Sequence, residues 1–177
     1  MNFTKNFQLL IEFFNREEID YALIGAFALK AYGYVRATQD VDFLVRRENQ
    51  PLIIKYLESL GYETIHKSSG YSNHLHPLLK LGRIDIIYVA GDTADTIFSQ
   101  TKRLLLLEEI HIPVVKPEHL VALKVFAIKN DPARRLRELA DIQYIMSLPG
   151  IDLEEVKSYF EKYGQMDSYE ELIHEKK

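Results

Sequence analysis

Apolar residues recur at helical spacing through the first eighteen positions (Phe3, Phe7, Leu10, Ile11, Phe14), which predicts a helix from about Thr4 to Glu18. "YALIG" at 21–25 follows as a short strand stopped by glycine. Residues 26–33, "AFALKAYG", lack β-branched side chains and end on Gly33, the pattern of a short helix with a glycine stop. "DVDFLVR" at 40–46 reads as a strand, and Pro51 ahead of "LIIKYLESLG" marks a helix with proline in its first turn and Gly61 after its last. "YETIH" is the next strand. "HLHPLLKLGRIDIIYVAG" holds two extended runs around Leu81 and Gly82, with the loop length and glycine position of a tight hairpin. Thr93 to Lys102 has helical character, and "LLLLEEIHIPVV" returns to strand.

From Lys116 the texture changes. "PEHLVALKVFAIKN", "PARRLRELADIQYIMSL" and "DLEEVKSYFEKYG" read as three helices, separated at Asp131-Pro132 and Pro149-Gly150, and the polar tail "DSYEELIHEKK" is expected to fray. The strands all fall before residue 116. The order of elements therefore predicts an α+β core over 1–115 built on a small mixed β-sheet, and a C-terminal helical region over 116–177 packed on that core.

Composition narrows the functional classes. At 177 residues and 47% apolar content, the chain can bury a core without staples. It has no cysteine, which excludes a disulfide framework, a thiolate metal site and a cysteine nucleophile, and points to a cytoplasmic address. Glu12 and Arg16 to Glu18 interrupt the opening apolar run, so no secretory leader is expected, and no stretch suits a membrane span. The net charge of −4 argues against a general nucleic-acid-binding surface. The densest basic cluster, "ARRLR" at 133–137, is followed by Glu138 and Asp141 and reads as a self-paired helix face.

The chemistry concentrates in "IGAFALKAYGYVRATQDVDFLV" at 24–45. Side chains alternate along a strand, so Asp40 and Asp42 share one face while Val41, Phe43 and Val45 take the other. Two carboxylates side by side resist joint ionisation unless a cation stands between them, and Mg²⁺ suits hard oxygen donors completed by substrate phosphates. Asp85, in "RIDIIYV", is a third strand-borne carboxylate, sharing its face with Arg83 and Ile87. The plain alternative has Asp42 paired with Arg36 or Arg46 and Asp85 facing water from an exposed sheet surface. Upstream, Gly25 closes a strand and opens a helix, which lets backbone N–H groups approach an anion closely.

The run Ile24-Gly25-Ala26, a thirteen-residue spacer and Asp40-Val41-Asp42-Phe43 resembles the signature of the nucleotidyltransferase superfamily with the DNA polymerase β-type fold. More closely it is similar to the small bacterial branch that includes AbiEii-type toxins, with Gly25, Ala28-Leu29, Tyr32-Gly33, Arg36, Thr38, Asp40 and Asp42 in the matching places. Asp85 falls where that family has its third carboxylate. Ala26 departs from the glycine or serine of many relatives, leaving backbone N–H alone for nucleotide contact there. The resemblance implies helices on one face of the sheet and a Mg²⁺-dependent transferase with NTP as substrate. Asp40, Asp42 and Asp85 would hold two Mg²⁺ ions and carry catalysis, with Gly25, Ala26, Arg36, Thr38, Lys80 and Lys124 on the nucleotide side. It leaves the acceptor open among RNA, protein and small molecule, and it brings in an antitoxin as partner.

Other readings of these residues stand beside that one. Lys124, amid apolar neighbours in "LVALKVFAI", either reaches a phosphate or forms a salt bridge with Asp141. Lys80 either reaches over the site from beside Asp85 or is a solvated edge residue. His74 and His76, with His66, have the number for zinc ligands, although such residues are ordinarily polar strand positions. The aliphatic run "LLLLEEIHIPVV" leaves room for a sheet-edge homodimer. A binding module without turnover and a metal-dependent phosphohydrolase are the competing functional classes.

Overall fold

The computed structural model describes residues 3–38, 40–78, 81–106 and 110–174. The chain divides into two compact units, Met1–Val115 and Lys116–Lys177. Strand order in the first unit follows from seven strands, β1 (Tyr21–Ile24), β2 (Asp40–Arg46), β3 (Glu63–Lys67), β4 (Tyr71–Leu75), β5 (Arg83–Val89), β6 (Lys102–Leu106) and β7 (Ile110–Val114). They form one sheet in the order β3-β4-β5-β2-β1-β7-β6. The pairs β2–β5 and β1–β7 are parallel and the remainder antiparallel, so the sheet is mixed, as the sequence indicated.

Strand alternation decides what each face of the sheet does. On β2, Val41, Phe43 and Val45 are buried, and on β5 so are Ile84, Ile86 and Tyr88. Helix α1 (Phe3–Arg16) meets this face: the rings of Phe7 and Phe14 lie 5.9 and 5.5 Å from that of Phe43. Helix α3 (Gln50–Ser59) lies beside α1, with Tyr56 stacked on Phe13 at 3.8 Å and its hydroxyl donating to the Leu9 carbonyl. Burial of such aromatic side chains, with the aliphatic groups around them, stabilises this unit. The opposite face of β2 and β5 carries Asp40, Asp42, Arg83 and Asp85, none fully buried. Helix α2 (Gly25–Ala31) leaves the end of β1, and helix α4 (Gly91–Ser99) follows β5.

Several local expectations are corrected. The strands flanking Leu81 and Gly82 are not joined by a tight turn: β4 ends at Leu75 and β5 starts at Arg83. β4 begins at Tyr71, ahead of the expected run, because its inward residues are the polar Ser72 and His74, which conceal a buried strand from a hydrophobicity reading. "LLLLEEIHIPVV", read as strand, contributes to two antiparallel strands, β6 and β7.

The second unit contains α5 (Pro117–Asn130), α6 (Arg135–Met146), α7 (Leu153–Tyr163) and α8 (Met166–His174). The last was expected to fray. It is instead a helix that buries Ser168 and Leu172, with Tyr169 against Phe160 of α7 at 5.4 Å. Gly164, at φ 67, ends α7 in the left-handed conformation that lets α8 start at once.

Candidate active site

Register brings the carboxylates together. Asp42 on β2 lies directly opposite Asp85 on the parallel strand β5, and Asp40 lies opposite Arg83. Neighbouring strands are about 4.8 Å apart, so the four side chains occupy one small patch of the sheet. On the far side of β5, Asn73 of β4 is opposite Asp85. Two donors converge on a single oxygen: Arg83 Nε reaches Asp85 Oδ1 at 2.7 Å and Asn73 Nδ2 reaches the same atom at 2.8 Å.

These bonds explain how the patch tolerates its charge. The hydrogen bond to Asp85 holds the Arg83 guanidinium pKa above its ordinary value against a smaller opposing effect of burial, and the charges of Asp85, Asp40 and Asp42 all add to the rise. The Arg83 guanidinium is thus bonded to Asp85 and feels the charge of Asp40 and Asp42. Its side chain is 36% exposed and that of Asp85 20%, so this ion pair is open to solvent.

The glycine is required by contact as well as by conformation. Gly25 has φ +64, and a Cβ built on it would stand 2.1 Å from Asp42 Oδ2 and 2.6 Å from Asp42 Cγ. The close approach that Gly25 permits is thus to the carboxylate of Asp42 itself. Ala26 beside it is buried, and Arg36 is half-buried in the segment between α2 and β2. Thr38 Oγ1 accepts from the Asp40 N–H at 3.2 Å, which fixes the chain as it starts β2. Lys80 lies outside the described residues.

Arg46, one of the two cations weighed as partner for Asp42, goes elsewhere: it bridges Asp20 at 2.6 Å and Asp95 at 2.8 Å. Arg83 and Asn73 were not among the expected site residues. The spacing Arg83–Asp85 signalled the first, since residues two apart share a strand face. Asn73 is found only through the β4–β5 register.

The histidines do not gather into a metal site. His74 is fully buried on the opposite face of the sheet, its Nε2 2.8 Å from Ser72 Oγ and its Nδ1 3.2 Å from Thr64 Oγ1. Burial pushes its pKa down to about 4, with Asp85 and Glu58 pulling weakly the other way. His76 Nδ1 accepts from the Leu78 N–H, and His66 stacks on Tyr71. Among the described residues, no group of three His, Cys, Asp or Glu side chains is close enough to hold a metal unaided.

That finding bears on Mg²⁺ directly. A closed protein cage is absent among the described residues, but Mg²⁺ is usually bound by one or two carboxylates plus substrate phosphates. The facing pair Asp42 and Asp85 supplies hard oxygen donors of that kind, on a face that solvent reaches. The residues fit a divalent ion completed by its substrate.

Lys124 of the second unit occupies a different setting. It is 6% exposed, and its Nζ donates to Glu138 Oε2 at 2.8 Å and to Asp141 Oδ2 at 2.5 Å. Arg134 and Arg137 also contact Glu138, at 2.7 and 3.2 Å. Burial alone would raise the Glu138 pKa, but the charge and hydrogen bond of Lys124, joined by Arg134, hold it down to about 2. The salt bridge weighed for Lys124 is present, and with it the self-pairing of the basic cluster.

Comparison with known proteins identifies the family and the fold. The family model "Nucleotidyl transferase AbiEii toxin, Type IV TA system" matches residues 9–177. The solution structure of the antibiotic-resistance factor ANT(2'')-Ia superposes with a TM-score of 0.71 at 12% identity, covering 100% of both chains. The crystal structure of ANT(2'')-Ia with adenylyl-2''-tobramycin gives 0.67 at 9% identity, covering 92% of this chain and 97% of the other. The lincosamide antibiotic adenylyltransferase LnuA, with lincomycin bound, gives 0.57 at 16% identity, covering 81% and 96%. At such identities the likeness is one of fold. Among curated protein sequences none matches significantly.

Proposed function

The chain belongs to the AbiEii nucleotidyl transferase toxin family, and from that premise we propose that the face bearing Asp40, Asp42 and Asp85 transfers a nucleoside monophosphate from an NTP to a hydroxyl acceptor. The observation that carries this reading is the cross-strand pairing of Asp42 with Asp85, with Asp42 held against Gly25. Two carboxylates of different strands, placed side by side where solvent enters, form a site for handling triphosphate and a hydroxyl proton together.

In this reaction the acceptor oxygen attacks the α-phosphorus, a new O–P bond forms, the bond to the β-phosphate oxygen breaks, and pyrophosphate leaves. Asp42 and Asp85, with Asp40 beside them, would hold the divalent ion. When bound, Mg²⁺ neutralises charge on the triphosphate and on the departing pyrophosphate. Asp85 takes the acceptor proton: its Oδ1 is already occupied by Arg83 and Asn73, which leaves Oδ2 as the working oxygen. Gly25 and Arg36 form the nucleotide side, and Thr38 shapes the backbone at Asp40. The role of toxin in a toxin–antitoxin pair rests on the family description. No described helix is long and apolar enough to cross a membrane.

The test is to incubate the protein with Mg²⁺ and each α-labelled NTP, with and without cellular RNA, and to follow both label and pyrophosphate. Label moved to an acceptor, with pyrophosphate released, is the expected result. Label retained in NTP despite metal-dependent nucleotide binding would replace the proposal with a binding module, a reading favoured by the guanidinium already present among the carboxylates. Release of inorganic phosphate would identify a hydrolase.

A further inference from the structure

We propose that Arg83 is a displaceable counter-cation of the carboxylate face, occupying in the resting protein the electrostatic place that a divalent ion takes over, while Asn73 keeps Asp85 oriented through the exchange. The inference rests on the metal-binding part of the reading above. It follows from where the two donors stand and from how they differ.

Arg83 shares a strand face with Asp85, two residues away, and lies opposite Asp40 on β2. Asp42 is the diagonal neighbour on the same strand. Register alone places the guanidinium within about a strand spacing or two of all three carboxylates. A cation so placed lessens the repulsion among the acids and permits the face to fold without metal. It also opposes any second cation brought to the same oxygens.

The two ligands of Asp85 Oδ1 respond differently to such an arrival. Arg83 is charged, long and 36% exposed, so its guanidinium can swing into water at little cost, as solvent-exposed ion pairs do. Asn73 is neutral and short, and the β4–β5 register sets its position opposite Asp85. An incoming divalent ion repels the first and leaves the second in place. Asp85 therefore keeps one hydrogen bond at Oδ1, and with it its rotamer, when the guanidinium departs. Metal affinity in this arrangement is set partly by the charge it must push aside.

The test uses Mn²⁺ alone, without nucleotide, titrated into the full chain while free Mn²⁺ is followed by electron paramagnetic resonance. Arg83→Gln removes the competing charge and is expected to bind Mn²⁺ about tenfold more tightly, the size of effect one neighbouring charge exerts on another near a protein surface. The same variant should have a lower Tm than the wild type in chelator, with the difference closed by Mn²⁺. Arg83→Lys keeps the charge and should stay within about threefold of wild type. Equal or weaker Mn²⁺ binding by Arg83→Gln overturns the proposal, as does absence of Mn²⁺ binding by both proteins. Charge-dependent Mn²⁺ binding in a protein that transfers no label would sustain this inference and defeat the proposed activity. Label transfer with affinity indifferent to Arg83 would do the reverse.

Discussion

Two sites in this protein set clustered carboxylates against a cation, Arg83 on the sheet and Lys124 among the helices, and their surroundings give them opposite properties. On the sheet, Arg83 pairs with Asp85 and feels the charge of Asp40 and Asp42 from a side chain that is one-third exposed. In the helical unit, Lys124 serves Glu138 and Asp141, and all three are nearly sealed from water. A sealed ion pair cannot exchange its members without stranding a charge in a low-dielectric interior, so it fixes structure. An open one can, because water receives whichever partner leaves. The contrast shows how two acid–base clusters of similar make-up differ, one sealed among helices and the other on a sheet face that solvent reaches.

The sharpest break of this comparison is the removal of each central cation. Lys124→Met leaves Glu138 and Asp141 buried without their shared ammonium and should destabilise the protein by about 3–5 kcal/mol in urea unfolding. Arg83→Gln, on the open face, should cost less than about 1 kcal/mol by the same measurement. Equal losses would show the two clusters to be of one kind.

A second sealed group lies on the other face of the sheet from the carboxylates. His74 is neutral in the folded chain, with a pKa near 4, and titrates at about 6.5 once unfolded. Between those values the unfolded chain binds the proton and the folded one does not. Stability is therefore complete above pH 6.5 and falls as the pH drops toward 4, by on the order of 3 kcal/mol from this group. His119, also lowered by burial, acts in the same direction, so the share of His74 is the part of the slope that His74→Gln abolishes. An unchanged slope in that variant would contradict the sealed placement.

Gly25→Ala probes the contact that holds Asp42 in place. The added methyl group would meet Asp42 Oδ2, and the backbone sits at a positive φ, so a loss of about 1–3 kcal/mol is expected. Activity should fall further than stability does, because the carboxylate itself must move. A stable variant with full activity would show that Asp42 needs no such seat.

Much of this was legible along the chain where period and punctuation were strong. The alternation in "DVDFLVR" and "RIDIIYV" placed β2 and β5 and assigned the aspartates to one face, because each strand buries its opposite side under aromatic and aliphatic groups. Gly25, at the junction of β1 and α2, was visible as a stop, although its contact with Asp42 of β2 was not, since that contact depends on how the strands pair. β4 was shifted because Ser72 and His74 are buried polar residues satisfied by Tyr88 and Thr64, an arrangement that hydrophobicity does not report. α8 was missed for a related reason: few large apolar side chains mark its inner face, chiefly Leu172. Asn73 and the shared role of Arg83 depend on strand register, which single-sequence patterns leave undetermined.

The most direct test of the open carboxylate face is the rate of nucleotidyl transfer by Asp42→Asn, measured beside its Tm. Loss of transfer by about a hundredfold or more, with Tm within a few degrees of wild type, is the result this account predicts, since the substitution keeps shape and removes one charge from a solvent-reached pair. Undiminished transfer by a folded Asp42→Asn protein would contradict it.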